Sequence, residues 1–148
     1  SGFGGKNIKN WFSKISPDAF LTNEKVLAIA TTCLRIVVFL ILAGHGWLNL
    51  SEKKGLLGQY TSLGFSDPVQ IAHIVGVFEI LAALSVLIKP IRPIIFALFI
   101  WKMGTELFYP HWEAFEWIER GGSYGAILAL WFILPQVSIK TQKTIITT

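Results

Sequence analysis

Residues 36–43, IVVFLILA, are apolar around the whole circumference of a helix, and they lie inside a longer stretch, 26–48, that contains no acidic residue. A helix in the core of a water-soluble protein keeps a polar stripe, and this one has none, so its surroundings are lipid. At 1.5 Å per residue its roughly 23 residues span a ~30 Å hydrocarbon core with some tilt. The rest of the chain agrees. Only 15% of the 148 residues are charged, against about a quarter in soluble domains, and the mean hydropathy is +0.56.

Three further apolar segments follow. Residues 69–88 are opened by Asp67-Pro68, a cap followed by a first-turn proline, and closed by Lys89-Pro90. Residues 93–109 start at Pro93 and stop at Pro110, and residues 122–137 close the set. The expected fold is an all-α membrane protein, a four-transmembrane-helix bundle over 26–137. Residues 1–25 form a cytoplasmic or interfacial segment and 138–148 a cytoplasmic tail. The first part is amphipathic, with Ile8, Trp11, Phe12 and Ile15 at helical spacing among Lys6, Lys9 and Lys14, as in segments that lie on an anionic leaflet. No hydrophobic region with a cleavage site follows it, so it does not read as a signal peptide.

The basic residues outside the spans set the orientation. Lys6, Lys9, Lys14, Lys25, Lys89, Arg92, Lys140 and Lys143 fall on one side, and Lys53, Lys54 and Arg120 on the other. The positive-inside rule then puts both termini in the cytoplasm. The 49–67 loop faces outward, with Leu56, Leu57, Tyr60, Leu63 and Phe65 suited to a short interfacial helix. Trp47, Tyr109, Trp112 and Trp117 are expected to form an aromatic belt on that side.

A net charge of +4 would suit nucleic acid only if the cations were clustered on one face, and they are scattered between apolar blocks. The single cysteine, Cys33, lies in an apolar run and is expected to be buried and inert. The GGSYG of 121–125 follows no strand and carries no lysine, so it is not a phosphate loop. No Ser-His-Asp set, HExxH or paired-carboxylate motif marks a catalytic centre.

The ionisable residues inside the spans are the candidate site, because an unpaired charge at membrane depth costs several kcal/mol. Counted from the ends of their helices, Arg35, Glu79 and Lys102 are expected to share one layer. That layer reads either as a polar clasp fixing helix register or as a net-positive site for an anionic or carbonyl-bearing ligand such as a quinone head group. His45 and His73, with Glu106 at similar depth, are expected nearer the outer face. Two facing imidazoles can hold a haem iron, the weaker reading. The stronger one is a hydrogen-bonded pair at a cavity mouth, with Glu106 and His111 relaying protons. Gly44, Gly46 and Gly76 flank the histidines and read first as close helix packing.

In order and spacing, these pieces resemble the DoxX family of small four-helix membrane proteins. The resemblance rests on Arg35, His45-Gly46, Ser62-Leu63-Gly64 with Pro68, and Gly76-Val77-Phe78-Glu79, and covers about residues 30–135. The chain departs from the family pattern at Asn49, where a lysine is usual, and in its polar third helix with Lys102 and Glu106. The family takes its name from a subunit of an archaeal quinone-linked oxidase and thiosulfate-oxidation system. The resemblance therefore implies a subunit of a prokaryotic inner or plasma membrane, associated with quinone-dependent respiratory chemistry. The alternative is a non-catalytic accessory subunit, packed against other membrane subunits or against itself.

Overall fold

The computed structural model describes residues 23–107 and 114–146, with 135–146 described by their backbone alone. The amphipathic N-terminal segment, Tyr109, His111 and Trp112 lie outside the described residues. Six helices and no strand occur among those described: α1 Glu24–Leu50, α2 Lys54–Ser62, α3 Pro68–Ile88, α4 Arg92–Leu107, α5 Ala114–Glu119 and α6 Gly121–Ile146.

Local chemistry fixes where the helices begin and turn. Asn23 caps α1 by accepting from the backbone N–H groups of Lys25 and Val26, and Glu24 in the first turn complements the positive end of the helix dipole. Asp67 accepts from the Gln70 N–H, and Pro68 occupies the first turn, as the Asp-Pro pair predicts. Helices α1 and α2 both end in a left-handed reversal with paired backbone bonds. After α2, Gly64 takes φ +89°, the Phe65 N–H reaches the Tyr60 carbonyl and the Gly64 N–H reaches Thr61. After α1 the same pattern runs from Lys53 to Leu48 and from Glu52 to Asn49, but the residue at positive φ (55°) is Glu52. A non-glycine residue there costs roughly 1–2 kcal/mol, which the surrounding contacts must offset.

Helix α1 packs along α3 on one side and α6 on the other, α4 packs on α6, and α2 lies across α3. The core fills the half of the bundle away from α2. Val38 and Leu42 of α1, Ala83 and Val86 of α3, Ile95 and Leu98 of α4, and Ile127 and Leu130 of α6 meet there. The outward faces are apolar too. Ile29 and Leu40 on α1 and Ile74 and Leu81 on α3 are about 60% exposed, which suits lipid and not water.

Helices α1 and α3, with 27 and 21 residues, are long and apolar enough to cross a membrane. Helix α4 has 16 residues. The last helix does not stop at residue 137 but continues through Pro135 to Ile146. A proline removes one backbone bond, and in a lipid-embedded helix neighbouring groups compensate for it.

Two expectations are corrected. Cys33 is exposed on α1, not buried, because in an all-apolar helix hydropathy does not tell the protein-facing side from the lipid-facing one. Of the belt tryptophans, Trp47 is exposed, but Trp117 turns inward. Its indole N–H donates to the Met103 carbonyl at 3.1 Å, and its ring stacks on Tyr124.

A candidate ligand site around Glu79

The site begins with a close crossing of two backbones. A Cβ on Gly46 would lie 2.9 Å from the Gly76 carbonyl oxygen, and one on Gly76 would lie 2.8 Å from the Gly46 oxygen. Only glycine at both positions lets α1 and α3 approach this closely. Gly44, by contrast, faces open space. The crossing sets the reach between the two neighbouring polar side chains, His45 on α1 and Glu79 on α3.

Glu79 is fully buried, and its carboxylate is ringed by donors from two other helices. His45 Nδ1 donates to it, at 2.8 Å from Oε2 and 3.0 Å from Oε1. Asn49 Nδ2, one turn beyond His45, donates to Oε2 at 3.3 Å, and the Trp101 indole N–H donates to Oε1 at 3.3 Å. Asn49 is itself fully buried and accepts from the Tyr60 hydroxyl at 2.7 Å, which ties α2 to the cluster. Burial, then the Glu79 carboxylate nearby, push the Tyr60 hydroxyl up to about 12, while the bond to Asn49 pulls the other way.

A second polar chain runs beside the first. Lys102, 1% exposed, pairs with Glu106 one turn along α4 at 2.8 Å. The other Glu106 oxygen lies 3.5 Å from Arg120, and Arg120 reaches Glu116 at 3.3 Å. Positive and negative groups therefore alternate from the buried lysine to the surface.

Between the two chains, at the end of the bundle where α1 finishes, lies a cavity of about 290 Å³ lined by His45, Leu48, Lys53, Leu56, Thr105, Glu106 and Arg120. His45 is 22% exposed and presents its ring to this space while Nδ1 holds Glu79. On the other side of Trp101 a groove of about 470 Å³ opens between α3 and α4, with apolar walls of Phe78, Leu81, Ala82, Ile94, Ala97 and Leu98.

The structure brings together four of the six candidate residues: His45 with Glu79, and Lys102 with Glu106, around one cavity. It does not bring Arg35 into a layer with Glu79 and Lys102. The Arg35 guanidinium instead donates to the carbonyls of Val86, Leu87 and Ile88, the open C-terminus of α3. Helix α3 has no basic residue in its own last turn, so a neighbouring helix supplies the charge that its dipole favours. Nor do the two histidines face each other. His73 is half exposed and pairs with Glu52 at 3.2 Å, so His45 and His73 hold different carboxylates and form no bis-imidazole pair with each other.

Asn49, Tyr60, Trp101 and Arg120 complete the site and were not among the sequence candidates. Asn49 carried a signal, since four residues from His45 put it on the same helix face. Trp101 carried none, because an aromatic residue in an apolar helix reads as lipid-facing.

Neither a curated protein nor a solved structure matches the chain. The DoxX family model matches residues 30–112, from the second turn of α1 past the end of α4. The match takes in the glycine crossing, His45, Asn49, Tyr60, Glu79, Trp101, Lys102 and Glu106, but not Arg120. More than half of the sequence is covered, and the chain belongs to the DoxX family.

Proposed function

We propose that this DoxX protein spans a prokaryotic inner or plasma membrane four times with both termini in the cytoplasm. Its outward cavity holds a carbonyl-bearing ligand such as a quinone head group, in association with quinone-linked respiratory chemistry. One observation carries the ligand reading: a buried carboxylate, Glu79, is joined by His45 to a cavity lined by further donors, Lys53 and Arg120. A carbonyl oxygen in that space would find cationic donors, and a reduced ligand would find an imidazole with which to exchange a proton. Supporting the topology, the cations outside the four expected spans favour the side of the termini, and α4 and α6 pack against each other as an antiparallel pair, with Arg92 on Trp131 at one end and Glu106 near Arg120 at the other.

The test is quenching of intrinsic tryptophan fluorescence by a short-chain quinone, with the full chain in liposomes. The expected result is saturable binding of one quinone per chain, weakened about tenfold or more in His45→Ala, equivalent to about 1.4 kcal/mol. Binding of equal strength in that variant would remove the ligand from this cavity.

A second reading, an accessory subunit of a larger membrane complex, draws on a different observation. Among the described residues no buried side-chain nitrogen or oxygen lacks a hydrogen-bond partner, so the polar clusters are satisfied without a ligand. Native mass spectrometry with an absorption spectrum, on protein released gently from its own membrane, separates the two. Bound quinone at fixed stoichiometry favours the first reading, and constant company of larger subunits without a ligand favours the second.

A further inference from the structure

The Glu79 carboxylate is fully buried, so a proton reaching it must come through one of its neighbours. Asn49 and Trp101 meet it through an amide and an indole N–H, groups that hold their protons throughout the range in which proteins stay folded. Tyr60 stands one amide further away, behind Asn49. Beyond Trp101 lies the apolar groove between α3 and α4, where Phe78 packs edge-on against the indole at 5.1 Å. Among the described residues only His45 has one nitrogen on Glu79 and a ring that borders a polar cavity.

We infer that Glu79 is a proton-exchange site served from one side of the membrane only, with His45 as the relay between the carboxylate and the water of the cavity at the end of α1. A proton from cavity water binds His45 Nε2 while the Nδ1 proton passes to Glu79 Oε2. An O–H bond of a hydronium ion in the cavity breaks as the Nε2–H bond forms, and the Nδ1–H bond breaks as the Oε2–H bond forms; the return of the Glu79 proton to Nδ1 with release from Nε2 to water reverses the step. The charged groups facing this path are Lys53 at the start of α2, Glu106 on α4 with Lys102 behind it, and Arg120 just before α6. Lys53 and Arg120 oppose the arrival of a further positive charge and Glu106 favours it, so the relay runs beside a carboxylate already neutralised by Lys102. This goes beyond the ligand reading: the exchange needs no quinone, and its test uses none.

The test is infrared spectroscopy of the full chain in liposomes, following the carbonyl stretch of a protonated carboxyl as the pH is lowered. The expected result is a band that disappears in Glu79→Gln, persists in Glu106→Gln, and shifts promptly when the outer water is replaced by D2O. In His45→Phe the shift should slow by about a hundredfold, the scale of a lost acid–base group. If that variant does not fold, Lys53→Trp, which narrows the cavity from an exposed position, should slow the shift while leaving the His45–Glu79 contact in place. Equally fast exchange in whichever of these variants folds would overturn the inference. So would the absence of a Glu79 band at every pH at which the near-UV circular dichroism shows an intact fold.

Discussion

The two buried polar clusters solve the same problem in opposite ways. Lys102 is neutralised on its own helix by Glu106, and the charges then alternate through Arg120 and Glu116 to the surface. Glu79 is met by an imidazole, an amide and an indole, all of them able to be neutral, drawn from α1 and α4. The first arrangement cancels charge locally and asks little of the neighbouring helices. The second spreads a negative charge over donors from two other helices, so it depends on the relative placement of α1, α3 and α4, and that in turn depends on the Gly46–Gly76 crossing. Low local polarity strengthens such a network when complete and makes any missing member costly.

The largest effect is expected where a charge is stranded. Glu106→Ala leaves Lys102 buried without its counter-charge and should cost about 3–5 kcal/mol in reversible unfolding in lipid or detergent. Replacing both partners, Lys102→Met with Glu106→Leu, should recover most of that loss. Failure to recover would mean that the alternating chain, and not its charge balance, holds α4 in place.

Glu79→Gln should be milder, about 1–3 kcal/mol, because a shape is kept while one of the three donors loses its acceptor. The cause is local to His45, Asn49 and Trp101. Arg35 and Lys102 keep their own partners, so Arg35→Met combined with Glu79→Gln should give additive losses. Strong coupling in that double variant would restore the shared layer that the structure breaks up.

The smallest effect concerns Tyr60. Tyr60→Phe should cost about 1 kcal/mol by removing its bond to Asn49. Its pH dependence carries a sign. The hydroxyl ionises near 10 when unfolded and near 12 when folded, so the folded state holds more protons between those values. Wild-type stability from this group is therefore complete below about pH 10 and is lost as the pH rises towards 12. Melting curves of wild type and Tyr60→Phe should converge across that window, and curves that stay parallel would show Tyr60 to be solvated.

Much of the fold was legible because its signals are local. Asp67-Pro68 and Lys89-Pro90 bound α3 to within a residue, and the full-circumference apolarity of 36–43 requires lipid wherever its neighbours lie. The site was legible only in part. Counting inward from helix ends supposes that the ends are flush, and they are not. Arg35 meets the last carbonyls of α3 although it lies about 16 Å along α1 from Glu24. That offset carries Arg35 away from Glu79 and brings His45 level with it. His73 went astray for a related reason: the left-handed turn at Glu52 swings an acidic side chain over the start of α3 and takes up the histidine. Helical periodicity could not find Trp101, since a helix apolar on every side does not announce its inward face.

The same offset gives the bundle unequal heights. Helix α1 is 27 residues long, about 40 Å, whereas α3 and α4 have 21 and 16, about 31 and 24 Å, and α6 is apolar only over 121–134, about 21 Å. A bilayer of uniform ~30 Å thickness matches α3 but not α1 and α4 at once. Under the proposed four-span topology the longer α1 is accommodated by tilt, and the shorter α4 by thinning of the lipid along its flank. Membranes of different thickness should therefore hold it at different angles, and lipid composition becomes a handle on how the Glu79 cavity is presented to water.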